Sequence, residues 1–148
     1  MKKKTVVDII TYLFIILFIY ASVNKLVDYE NFSTELGKSP LLTAFAGWVA
    51  WLIPVVELLV VVMLTLPKWC LAGLYAAFSL MTMFTAYIVA ILRFSDYVPC
   101  SCGGVLQNMT WNQHLVFNIV FVLLALTGII LHEPEQHKKA PLKNFSAA

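Results

Sequence analysis

Charge is scarce in this chain. Asp, Glu, Lys and Arg make up 12% of its 148 residues while hydrophobic residues make up 61%, against about 25% charged in ordinary soluble domains. That excludes a disordered chain and an ordinary soluble globule. An excess of one sign is also missing: ten basic residues face eight acidic ones, too even a balance for a nucleic-acid-binding surface. There is no internal repeat, no low-complexity stretch and no run of strand-like alternation, which in lipid only a closed barrel could use. Room is lacking as well. A helical span takes about 20 apolar residues, so four spans leave no space for a soluble catalytic domain.

What the chain does have is four long apolar runs, at about 6–23, 41–66, 69–92 and 111–131. They predict an all-α, four-helix transmembrane bundle forming one domain over 1–131, followed by a short polar tail over 132–148. Ser39 followed by Pro40 reads as an N-cap with proline in the first helical position. Thr110 and Gln113 have the spacing of a capping box. Lys2, Lys3 and Lys4 ahead of an apolar run also suit a signal peptide, but the run exceeds the 7–15 residues of such a segment. A retained first helix is therefore expected.

Orientation follows from the basic residues. With both termini inside, the inner face carries Lys2, Lys3, Lys4, Lys68, Lys138, Lys139 and Lys143, and the outer face only Lys25, Lys38 and Arg93. The expected location is the cytoplasmic membrane of a bacterium, with the segment between the third and fourth runs outside. The expected partners are the bilayer and an extracytoplasmic thioredoxin-like or disulfide-containing protein, with no nucleic acid.

That outer segment carries Pro99, Cys100, Ser101, Cys102, Gly103 and Gly104. Disulfides persist on that side of the membrane, whereas cytosolic thiols are kept reduced. Cys70 begins the third run at the opposite face, roughly 30 Å away by helical rise, and cannot bridge to either within one chain. It reads as a small buried hydrophobe. Cys100 and Cys102 close so small a ring that their disulfide would be strained and easily reduced. Three uses compete: a redox-active dithiol, a soft-metal site with Met109 and His114, and an inert structural pair. A ring this short gains little chain-entropy stabilisation from a crosslink, and the metal spacing matches no known signature. The redox pair is the reading adopted, with no metal site.

Polar groups inside the spans are few. Glu57 is the only acid deep in a run, one turn after Pro54. A charge near the bilayer centre costs about 2.5–3.5 kcal/mol even on a lenient scale, so this acid needs a partner, a proton or a wet cavity. Trp111, His114 and Asn118 share one face of the fourth helix. Glu57 and His114 are candidate proton carriers, and Trp111 and Asn118 candidate contacts for a membrane quinone. Against that, His114 also suits an inter-helix hydrogen bond and Trp111 an interfacial anchor. Lys25 is placed to pair with Asp28, three residues on, or to reach towards Glu57. Gly73 with Ala77, and Ala72 with Ala76, offer close-packing faces on the third helix.

The run Ala21-Ser-Val-Asn-Lys-Leu-Val-Asp28 with Phe32, the pair Pro54 and Glu57, the Pro99–Gly104 cysteine segment and Trp111 with His114 together resemble the DoxX-like membrane proteins. Within these, the sequence is most similar to the MauE family of methylamine-utilisation proteins. The resemblance implies a periplasm-facing membrane protein tied to disulfide formation or electron transfer, aiding maturation of the disulfide-rich small subunit of methylamine dehydrogenase. Carried over by position, it assigns redox roles to Cys100 and Cys102 alone. Four-helix disulfide-generating enzymes of the DsbB and vitamin K epoxide reductase type share the architecture but use two cysteine pairs. This chain has one on its outer face, so a separate protein supplies the second, or quinone meets the pair directly. Two other classes fit the composition: a non-enzymatic anchor or assembly subunit of a redox complex, and a copper or solute transporter built around Glu57.

Overall fold

A computed structural model describes residues 3–38, 43–94 and 110–132. Among them there are helices and no strand. In chain order these are α1 (Lys3–Val27), α2 (Tyr29–Lys38), a 3-10 turn (Thr43–Phe45), α3 (Ala46–Thr65), α4 (Cys70–Phe94) and α5 (Trp111–Leu131). α1, α4, α5 and the continuous stretch Thr43–Thr65 are each long and apolar enough to cross a membrane.

Each long helix buries one narrow stripe and leaves its other faces apolar and open. On α1 the stripe is Val7, Ile10, Thr11, Phe14, Phe18 and Ser22, and on α3 it is Ala46, Ala50, Pro54, Glu57, Val60 and Leu64. Successive members are mostly three or four residues apart, the repeat of one helix face. Outside the stripes, Ile16, Trp48, Leu59, Leu123 and Ile130 are all more than half exposed. In water such a surface would drive aggregation; in lipid it is the expected exterior.

The helices alternate in direction. One end of the bundle gathers the start of α1, the end of α3, the start of α4 and the end of α5: Thr11 meets Cys70, and Gly128 lies against Ile10 and Leu74. The opposite end gathers the end of α1, the early part of α3, the end of α4 and the start of α5. Neighbours in sequence pack together, and α5 closes back onto α1.

Lipid tails are as apolar as the side chains, so helix association rests on close packing rather than on hydrophobic transfer. Gly73 supplies this between α3 and α4, where a Cβ would sit 3.0 Å from the backbone nitrogen of Leu64. Ala77 is fully buried on the same face, whereas Ala72 is exposed and Ala76 half-buried. The face expected from Gly73 and Ala77 is thus the packed one. Phe14, also fully buried, meets Phe121 edge to face at 5.3 Å between ring centroids.

Two local features were not read from the sequence. Among the described residues the second apolar run opens on a 3-10 turn, which leads into the α-helix at Ala46, with Phe45 in the N-cap position and no side-chain cap. Ser39 and Pro40 lie outside the described residues. The polar stretch after the first run folds as α2, whose Phe32 and Leu36, one turn apart, pack on Ala46 and Ala50.

Candidate functional site

A buried polar cluster in the bundle interior begins with Glu57. Proline at 54 has no N–H for the carbonyl of Ala50, and one turn later Glu57 points inward with no solvent exposure. Its Oε1 accepts a hydrogen bond and ion pair from Lys25 Nζ, at the end of α1. Its Oε2 has no partner. The Lys25 ammonium also lies 5.4 Å from the centroid of the Phe84 ring on α4, within cation–π range. Of the two partners open to Lys25 in the sequence, the structure selects Glu57. Asp28 instead accepts from Asn31 Nδ2 at 2.7 Å.

The first turns of α5 face the same space. Thr110 and Gln113 form the anticipated capping box, with Gln113 Oε1 accepting from the Thr110 N–H at 2.9 Å and Thr110 Oγ1 from the Gln113 N–H at 3.4 Å. This fixes where the helix begins and so which way its next residues point. The ring of His114 stacks on Trp111, with centroids 6.0 Å apart. His114 Nδ1 is buried and unpartnered. Asn118 is 2% exposed, and its Nδ2 donates to the His114 carbonyl at 2.9 Å.

Lys25, Glu57, Trp111, His114 and Asn118 all line one cavity of about 180 Å³. Its walls are mostly apolar and aromatic, including Phe18, Met81, Phe84 and Phe117. α2 contributes Phe32, Glu35 and Leu36 to the wall, and Glu35 is ion-paired to Lys38 at 2.6 Å. Chemically, the arrangement offers a hydrogen-bond acceptor at Glu57 Oε2 and a ring nitrogen at His114, either donor or acceptor by tautomer, within an apolar shell.

Every site residue expected from sequence within the described chain lines this cavity. Cys100 and Cys102 lie outside the described residues, as does Met109. They belong to the connection that leaves α4 after Phe94 and returns at Thr110, both at the cavity's end of the bundle. Cys100 is six residues beyond Phe94, a reach of at most about 22 Å. Sequence reasoning missed the parts played by Phe84 and by α2. Phe84 carries no signal of its own, whereas Phe32 and Leu36 at i and i+4 were a legible apolar stripe.

Cys70 sits at the other end, half-buried rather than fully buried, with its Sγ 3.8 Å from Thr11 Oγ1. Lys4, Asp8 and His132 line a second cavity there.

Residues 3–131 match the family model described as Methylamine utilisation protein MauE. No curated protein and no solved structure matches the chain.

Proposed function

Because the chain belongs to the MauE family, membrane proteins associated with methylamine utilisation, we propose that it supports disulfide formation in an extracytoplasmic partner through Cys100 and Cys102. The chain sits in a bacterial cytoplasmic membrane with both termini and the tail over 132–148 inside, and the cysteine connection outside. A partner thiolate attacks one sulfur of the Cys100–Cys102 disulfide, giving a mixed disulfide. The partner's second thiol then displaces the bound cysteine. The partner gains a disulfide and this chain is left with two thiols, so two electrons have moved inward.

The observation that carries this reading is the cavity joining Lys25, Glu57, His114 and Asn118 at the end of the bundle to which the cysteine connection is tethered. A thiol pair that is reduced in each cycle must release protons as it is reoxidised. Glu57 and His114 are the groups able to take them up, with Trp111 and Asn118 shaping the space around them. An ion pair inside a membrane is a functional feature by default, which also favours a second reading as a transporter for copper or another solute. The third reading is an anchor or assembly subunit with no chemistry of its own.

Activity separates the three. With disulfide content of the partner as the readout, Cys100→Ser and Cys102→Ser are each expected to abolish maturation, and Glu57→Gln to slow it without stopping thiol exchange. Loss with Glu57→Gln and tolerance of Cys100→Ser would favour transport. Tolerance of all three variants, alongside loss on deletion of the gene, would leave anchoring.

A further inference from the structure

The cavity has a volume and a charge balance, and two residues of its wall, Glu57 and His114, each carry a buried polar atom without a partner; together these restrict what it can hold. Its volume, about 180 Å³, slightly exceeds the roughly 150 Å³ of an apolar cavity that takes up benzene. It suits one substituted six-membered ring. Lys25 and Glu57 neutralise each other, and the position a cationic ligand would want, against the carboxylate and over an aromatic face, is already taken by the Lys25 ammonium. The ligand is therefore uncharged. Glu57 Oε2 and His114 Nδ1 are both buried without partners, and a buried polar atom left unsatisfied is costly. A bare hydrocarbon ring would leave both so.

We infer that this cavity is the binding site of a benzoquinone/hydroquinone couple, with Glu57 Oε2 and His114 Nδ1 as its two oxygen contacts. This rests on the proposed thiol chemistry only for the source of the electrons. In the reduced form, hydroxyls donate to Glu57 Oε2 and to the His114 ring nitrogen. In the oxidised form, a carbonyl accepts from Lys25, the one permanent donor at the carboxylate. Two thiols plus the quinone give one disulfide plus the hydroquinone: two S–H bonds break, one S–S bond and two O–H bonds form, and the protons pass through His114 and Glu57. An ionised carboxylate offers only an acceptor, so the hydroquinone binds more tightly than the quinone. A tenfold preference would raise the bound couple by about 30 mV, in the direction that favours oxidation of the thiols.

The test uses full-length protein in quinone-free lipid nanodiscs, carrying Cys100→Ser and Cys102→Ser so that no electrons can move. A tail-less methylated benzoquinone, its hydroquinone and toluene are titrated by calorimetry. Saturable 1:1 binding is expected, with the hydroquinone at least about tenfold tighter than toluene, and tighter than the quinone. Ala21 also lines the cavity; Ala21→Phe, which fills it, and His114→Leu, which removes one contact, are each expected to weaken hydroquinone binding about tenfold. No saturable binding, toluene binding as well as the hydroquinone, or unchanged affinity in both variants would overturn the assignment. Failure of the thiol reading itself would appear elsewhere, as unreactive or permanently free thiols in the wild-type chain with ring binding intact.

Discussion

Lys25 and Glu57 show what a single position can decide in an apolar interior. The Glu57 side chain is 1% exposed and that of Lys25 15%, so neither has water as an adequate alternative partner. Breaking such a pair from one side leaves an uncompensated charge, at a cost of about 3–5 kcal/mol, whereas replacing both partners with apolar residues is often close to neutral. Lys25→Met alone is therefore expected to lower the thermal midpoint of the detergent-solubilised protein sharply. Lys25→Met combined with Glu57→Leu is expected to recover most of the loss. Strictly additive effects across this double-mutant cycle would mean that the two side chains do not act as a unit. Glu57 was legible from sequence because an acid in a long apolar run has no ordinary explanation. Its partner was not, since the same lysine had Asp28 three residues away, and only the packing of α1 on α3 chooses between them.

At the scale of the helix, the contacts that matter are those where backbones meet. A methyl at Gly73 would press on the Leu64 backbone nitrogen, which cannot turn aside. At Gly128 the nearest atoms are side-chain methyls of Ile10 and Leu74, at 3.3 Å. Gly73→Ala is thus expected to cost about 1–3 kcal/mol by overpacking, and Gly128→Ala clearly less, both read by thermal unfolding. The reverse order would contradict the close approach of α3 and α4 described above. Thr110→Ala removes one half of the α5 capping box and is expected to cost about 1 kcal/mol. Hydrogen exchange should rise in the first turn of α5, next to His114, and not elsewhere. The long helices were readable because apolar runs of that length have one stable form in lipid. The start of α3 was less so: a 3-10 turn over Thr43–Phe45 leads into the α-helix at Ala46, and no side-chain cap marks that point. α2 went unread although Phe32 and Leu36, one turn apart, gave it a legible apolar stripe.

For the whole molecule, alternation of the four long helices places Lys3, Lys4 and Lys68 at one end and Lys25, Lys38 and Arg93 at the other. Among the described residues the two ends are therefore evenly matched. The bias behind the proposed orientation rests on Lys2, Lys138, Lys139 and Lys143. Replacing the three tail lysines with glutamine is expected to weaken the preference for one orientation, scored by reporter fusions at the C-terminus; an unchanged, uniform topology would show that other features set it. The site spans the same scale, since its members come from α1, α2, α3, α4 and α5. Trp111, His114 and Asn118 could be grouped in advance because one helix carries them. That Glu57 joins them depends on how separate helices meet, which no periodicity reveals.

The proposed function stands or falls with Cys100 and Cys102 as an exchanging redox pair on the outer face. The most direct measurement is their thiol state in native membranes, trapped with an impermeant maleimide before and after reduction and titrated against glutathione buffers. A reversible disulfide is expected, labelled from outside only after reduction, with a potential well above about −300 mV, the range that marks a labile rather than a structural bond. Cys70 should stay unlabelled throughout. Two permanently free thiols, or a disulfide that glutathione cannot reduce, would contradict the proposed function.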